Sequence, residues 1–418
     1  MFLSIIVCFV LLAGLTTAVF ADLTSGNIFG NNPEQMGRQP GGRMQQPGGG
    51  FQPGMGMPQD GGMGGSQNIV NEPGEIVTGD TVNSASDLES DMGNAVRITM
   101  SEEENEVKIE ESGTYIISGT ASDGRITVKK GTTGVVLVLE NLDLTSKTGA
   151  PISLNKESEV KVIISGTVTL TDAEDSADEY AQDTETADAY DGAAVKIKSG
   201  AVAAVTGSGT LNIIGKAKNG IKAGDDSPLV IDGPDIRITA VNDGINVNYD
   251  VTILSGSLMI SSGDDGIHAE RILTIGKEDG SGPDITIPQC GEALEGTVVN
   301  IFGGNININS RDDAINAANK DGVYKDVMAY SINMTGGNVT ITGQTDGFDS
   351  NGNINLIGGS AVINVQYRMG EAGIDYDGAY YLSDDFEMTN AGGVSGPDGM
   401  GGGMGHGQGR GQGGWGRP

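Results

Sequence analysis

Five carboxylates occupy one position of a repeating turn: Asp243, Asp265, Glu292, Asp313 and Asp346 each stand two residues before an apolar anchor. Asp264 and Asp312 place a second carboxylate beside two of them. If the turns stack as strands do, at about 4.8 Å, neighbouring charges repel by about 3 kcal/mol at an effective dielectric near 20. The lysines and arginines are few and out of register, so nothing basic in the repeat is expected to offset the column. Three outcomes relieve it: the turns splay into solvent, some carboxylates hold a proton, or hard cations lie between them. Calcium accepts six to eight oxygen ligands in loose geometry, which suits Asp and Glu side chains with turn carbonyls. The expected metal ligands are therefore Asp243, Asp264, Asp265, Glu292, Asp312, Asp313 and Asp346, with calcium as the cofactor. The competing expectation is a solvated acidic edge, because Asp-Gly is also ordinary turn chemistry. No EF-hand loop and no Gly-Gly-x-Gly-x-Asp nonapeptide is present.

The residue after each anchor forms a second column: Lys196, Lys222, Asn246, His268, Glu295, Asn316, Asp349 and Asp375. Pointing outward, a ladder of mixed donors and acceptors could read a polymer of hydroxyls, with Lys222, Asn246, His268, Glu295, Asn316 and Asp349 as contacts. A solvent-facing strand edge would carry similar residues. His268 is one of only two histidines and is expected as a lone surface imidazole. Nucleophilic triads, phosphate loops and Cys-rich metal sites are missing, so no catalytic residue is assigned.

These columns need elements that stack. The repeat itself reads PLVIDGPDIRITAVNDGINV, DVTILSGSLMISSGDDGIHA, TVVNIFGGNININSRDDAINA and onward. Each unit holds an alternating strand, a Gly-rich corner, a second strand, the acidic turn, then a small residue followed by a large apolar one. That pair recurs from Gly220-Ile221 to Gly373-Ile374 at steps of roughly 21 to 33 residues, in the range of a solenoid. Pro151-Ile152 and Ala194-Val195 extend it upstream, separated by an acidic insertion at 171–191. Alternation within each strand sends one set of side chains inward and the other outward. A propeller blade would need about 40 residues and hairpin turns, and a sandwich would not repeat its sequence. The expected fold is all-β, a right-handed parallel β-helix with disordered Gly/Pro/Met/Gln-rich tails. Ile221, Ile245, Ile267, Leu294, Ile315, Phe348 and Ile374 should stack as one buried column.

Composition agrees with this. Among 418 residues, apolar types make 37% and aromatics only 5%, so the core must lean on Val and Ile, which suit sheets. A formal charge of −32 argues against nucleic acid or an anionic membrane as partner. Residues 1–21 read as a secretory signal ending Val19-Phe20-Ala21, although without an early Lys or Arg, and a membrane anchor is the competing reading. Secretion to the exterior or cell surface follows, with no membrane contact after cleavage. Only Cys290 would then remain, and no internal disulfide is possible. Residues 22–75 read as a low-complexity linker, 76–389 as the β-helix domain, and 390–418 as a Gly-rich tail carrying Trp415.

The stretches GTYIISGT (113–120), VVLVLENLDLTS (135–146) and GTLNIIG (209–215), with the NDGI and DDGI turns and the LSG or TGG corners, carry a resemblance. From about 96 to 377 the chain resembles secreted bacterial carbohydrate-binding β-helix domains, which look like polysaccharide lyases in shape. The resemblance implies calcium held along the solenoid and binding to cellulose-like and pectate-like polysaccharides, without an assigned reaction. A lyase of that shape would need a base, for which Lys222, with Lys196 one rung away, is the candidate. A structural surface or matrix protein without glycan specificity is the third expectation.

Overall fold

The computed structural model describes residues 68–79, 82–174, 192–318, 328–366, 372–389 and 392–397. The apolar N-terminal run, most of the acidic insertion and Trp415 lie outside them. The described residues contain 28 strands and no helix, and the strands pair in parallel with their counterparts one turn along. The result is a β-solenoid of about ten turns.

Three strand stacks run along it. One carries the anchors, in the register Val195, Ile221, Ile245, Ile267, Leu294, Ile315, Phe348, Ile374, Val394. The seven expected anchors are all at most 1% exposed, so the column is one continuous buried file. Ile152, Ile126 and Val107 continue it upstream. Each side chain of the file fills the space between its two neighbours, which removes water and leaves the backbone groups to pair between rungs.

The small residue before each anchor has a packing cause. A methyl at Gly244 would lie 2.3 Å from Ile260 Cγ2 and 2.7 Å from the Gly266 carbonyl. That carbonyl accepts from the Ile245 amide at 3.1 Å, so the chain must pass close to its neighbour to make the ladder bond. At the opposite corner Gly256 adopts φ +102°, with its Cα hydrogen facing the Pro234 carbonyl of the previous rung.

The second stack has an outward column of Val136, Lys161, Ala204, Val230, Thr252, Thr274, Asn300, Asn333, Asn355 and Tyr381, in continuous register. This face is covered. Residues 68–79 and 82–91 lie across it as a strap that meets the rungs in reverse order. Val70 N donates to Tyr380 O, Gly74 N to Asn355 Oδ1, and Asn300 Nδ2 to the Val77 carbonyl. Farther along, Asn83 Nδ2 donates to Ala203 O, Lys161 Nζ donates to the Ser86 and Leu88 carbonyls, and Asp91 N donates to Thr114 Oγ1. The linker expected to reach residue 75 therefore gives way to the strap by residue 68.

Candidate functional site

The acidic turns stack as expected, with Asp264 and Asp312 exposed and the five repeat-position carboxylates buried or half-buried. Asp243 is 2% exposed and Asp346 8%. Their side chains are used along the column: Asp243 Oδ1 accepts from the Asp265 amide at 3.1 Å, and Asp313 Oδ1 from the Asp346 amide at 3.0 Å. Asp346 Oδ1 accepts from the Ala372 amide. Upstream, Asn219 Oδ1 plays the same part for the Asp243 amide at 3.2 Å. The Asp243, Asp313 and Asp346 turns thus use their carboxylates to satisfy the next turn's N–H. The solvated-edge expectation fails at these positions for that reason.

Three groups of side chains bring ligand atoms within 4.8 Å of one another: Asp243, Asp264 and Asp265; Asp265, His268 and Glu295; and Asp313, Asp346 and Asp349. Of the expected metal ligands, Asp312 is exposed and outside these groups. Glu292 is also outside them, and its Oε2 accepts from Asn316 Nδ2 at 2.9 Å. Three residues read from sequence as sugar contacts, His268, Glu295 and Asp349, belong to the groups instead. The spacing explains this. A turn carboxylate and the residue three positions on both face the same side of the rung, so the two columns merge into one site.

The second column is in register from Lys196 to Asp375, but it is not an open ladder. Lys196, Lys222 and Asn316 are buried at 5–7% exposure, and Asn246, His268, Glu295, Asp349 and Asp375 are half-buried. Lys222 Nζ donates to the Oδ1 atoms of Asn246 and Asn248, each at 2.5 Å. Asn246 in turn donates to Asp243 Oδ2. Asn316 Oδ1 is buried without a hydrogen-bond partner beside this column.

His268 is not a lone surface imidazole. Its Nδ1 lies 2.5 Å from Glu295 Oε2 and 3.6 Å from Asp265 Oδ2, and its Nε2 is 3.2 Å from Glu270 Oε2. Burial alone would depress its pKa. Hydrogen bonds to Glu270 and Glu295, with the charges of Glu295 and Asp265, outweigh that and push it up to about 10. Nor is the column without basic neighbours, since Arg311 donates to the Gly263 and Cys290 carbonyls and its charge bears on Asp264. Register places His268 in its column without saying which carboxylates its ring reaches, and Arg311 has no basic counterpart at its repeat position in the other rungs.

Asp264, Asp265, Glu292, Asp313 and Asp349 are held above the ordinary carboxyl range. Burial is the largest cause at Asp265 and Asp349, followed by neighbouring carboxylates: Glu295 and Asp243 for the first, Asp313 and Asp346 for the second. Glu292 is raised to about 7, by burial and then by Glu295. Oxygen-only donors at this spacing fit a hard divalent cation, with His268 and Arg311 adding positive charge beside Asp265 and Asp264. The groups at Asp243/Asp264/Asp265 and Asp313/Asp346/Asp349 are of this kind.

A family model described as a carbohydrate-binding domain-containing protein matches residues 103–364. A relative of that description from Acetivibrio thermocellus is 34% identical over 174 residues, covering 40% of this chain and 57% of the relative. The chain therefore matches little more than half of that relative's length. Among solved structures, a polysaccharide lyase-like protein from C. thermocellum (a gadolinium derivative) is 24% identical with a TM-score of 0.42, covering 70% of this chain and 98% of that one. With a stacked solenoid whose matched segment spans more than half its length, the chain belongs to the family of carbohydrate-binding domain-containing proteins.

Proposed function

We propose that this is a secreted, non-catalytic protein that binds plant-type polysaccharides with calcium seated along its acidic column. The observation that carries the reading is the pair of all-carboxylate groups, Asp243/Asp264/Asp265 and Asp313/Asp346/Asp349, stacked on one side of a solenoid of a carbohydrate-binding family. A cation held there by side-chain oxygens and turn carbonyls would keep further ligand positions for a uronate carboxylate. Pectate-like chains would be bridged in this way despite the −32 charge. Cellulose-like chains, which carry no charge, would be held by hydrogen bonds, and many weak contacts add along a polymer. The Asp265/His268/Glu295 group supplies its own cation and is the weakest candidate for a metal. The apolar run before Asp22 supports export.

A lyase would need a free base beside the metal. Lys222 is 7% exposed, and its ammonium is committed to Asn246 and Asn248, which makes it a cross-link between rungs. The test is retention of polysaccharides by the full-length protein with calcium and with chelator. Pectate-like polymer should be retained only with calcium, and no unsaturated product absorbing in the ultraviolet should form. If such product forms and Lys222→Ala abolishes it while sparing binding, the protein is a lyase. Failure to retain any polysaccharide in calcium, with the fold intact, would leave a structural role.

A further inference from the structure

The covered face of the second stack has a composition that a covered face does not need. Its outward column runs Thr252, Thr274, Asn300, Asn333, Asn355, with all five residues at most 2% exposed and none charged. The amides form a relay, with Asn333 Nδ2 donating to Asn300 Oδ1 at 2.9 Å and Asn355 Nδ2 to Asn333 Oδ1 at 2.7 Å. Both ends of the relay finish on the strap, at the Val77 carbonyl and the Gly74 amide. One group is left over. Thr274 Oγ1 is buried beneath this cover with no hydrogen-bond partner. A buried hydroxyl without a partner is costly, and an apolar side chain of the same shape would serve a permanent cover better.

The two halves of the strap are held differently. At one end Ala85 is fully buried in a cluster with Ala204, Val230 and Leu254, and Leu88 packs on Ile116, Val136 and Val138. At the other end no residue of 68–79 is buried, and Ile69 stays 55% exposed. That half is held by hydrogen bonds to Tyr380, Gly378, Asn355 and Asn300. Such bonds exchange with water at small net gain, whereas apolar burial does not. Gly79 lies close over Asp250, where a methyl would come within 2.7 Å of the carboxylate, so the strap rests flat without a side chain wedged into the rung.

We propose that residues 68–79 are a displaceable cover, and that the Thr274–Asn300–Asn333–Asn355 column beneath them is the track for a linear neutral polysaccharide. The chain of a glycan presents what the strap presents, an extended backbone with donors and acceptors on both sides. It also carries hydroxyls that could reach Thr274 Oγ1, which no described residue of the strap bonds. Because the track is uncharged, it suits a neutral polymer and not a uronate. The inference rests on the carbohydrate-binding reading and separates its neutral ligand from the acidic column.

Hydrogen–deuterium exchange on the full-length protein in chelator, with and without a soluble linear β-glucan oligosaccharide, tests it. Glucan should speed exchange at the Val70 and Gly74 amides and leave Ser86 and Leu88 unchanged. Gly74→Pro, which removes the amide that donates to Asn355 and sets ring carbons against that side chain, should loosen the cover and tighten glucan binding several-fold. Thr274→Val should weaken binding several-fold without lowering the melting temperature. Glucan bound with no change in strap exchange overturns the proposal, as does unchanged affinity in Thr274→Val. If pectate is retained in calcium while glucan binds under no condition, the track is overturned and the calcium-assisted reading stands. If neither polymer is retained, both fall.

Discussion

Among the carboxylates of Asp265, Glu270 and Glu295, the His268 imidazole stands where the column would otherwise place like charges in contact. Removing one partner from a buried charge group leaves the rest uncompensated, so His268→Gln should cost about 3–5 kcal/mol. Calcium should recover part of this loss, because the vacated space lies between carboxylate oxygens. Denaturant unfolding of the variant with and without calcium reads the difference, and an equal loss in both would show that the group admits no ion. Asp172 is a different case. It is 2% exposed, and burial raises its pKa from 3.8 to about 6, although the Lys216 amide at 2.5 Å works against the shift. Between those two values the folded state binds more protons than the unfolded one, so stability falls as pH rises through that window and then levels off. Asp172→Asn keeps an acceptor for the Lys216 amide and should remove that slope, gaining about 2–3 kcal/mol at pH 7. A melting-temperature profile from pH 4 to pH 7 that is as steep in the variant as in the wild type would contradict this.

At the scale of the rung, the pair of a small residue and a large apolar one made the fold legible. Its two members face two constraints that any β-solenoid imposes: no room beside the neighbouring carbonyl, and a slot to fill in the file. Ile267→Ala empties part of that slot and should cost about 2–5 kcal/mol in denaturant unfolding. Gly244→Val drives methyls into Ile260 and the Gly266 carbonyl and should cost about 1–3 kcal/mol, more if the ladder bond breaks. Ala293 and Ala314 show that some rungs relax enough for one methyl, so Gly244→Ala should cost less than Gly244→Val. The strap was not legible in the same way, because it obeys no repeat. Its apolar anchors, Ala85 and Leu88, are too few to give a periodicity. A weaker signal was present in its footprint. Thr252, Thr274, Asn300, Asn333 and Asn355 alternate with core residues, so they must point outward, yet none is charged in a chain that is 19% charged. An outward column free of charge is the mark of a face that something covers. The merging of the two site columns was hidden for another reason: alternation says which side of a strand a residue leaves from, and not how far a turn carboxylate reaches back toward it.

Across the whole molecule, net charge and solenoid architecture together decide how a cation should act. At −32 the folded chain repels itself, and a compact state gathers that charge more tightly than an unfolded one. Calcium binding to the folded state alone stabilises it by mass action, about 2.7 kcal/mol per site at a hundredfold excess over Kd. In a globular domain that gain would spread over the molecule. In a solenoid each rung touches only its neighbours, so stability is close to a sum of local terms. Among the described residues the carboxylate groups lie between residues 243 and 349, and the rungs upstream of Asn219 contribute no member to them. Chelation should therefore speed amide exchange in the rungs from about 243 to 349 and leave those from 107 to 171 nearly unchanged. Added calcium should raise the melting temperature of the later-melting or earlier-melting phase that contains these rungs, and that phase alone. Asp265→Asn combined with Asp313→Asn should blunt the response, because each substitution removes a ligand from a different all-carboxylate group. Uniform protection by calcium along the solenoid would point to screening of the net charge in place of seated ions, and sodium at matched ionic strength would then reproduce it. A response confined to the acidic rungs, absent with sodium and lost in the double variant, is the outcome that seated calcium requires.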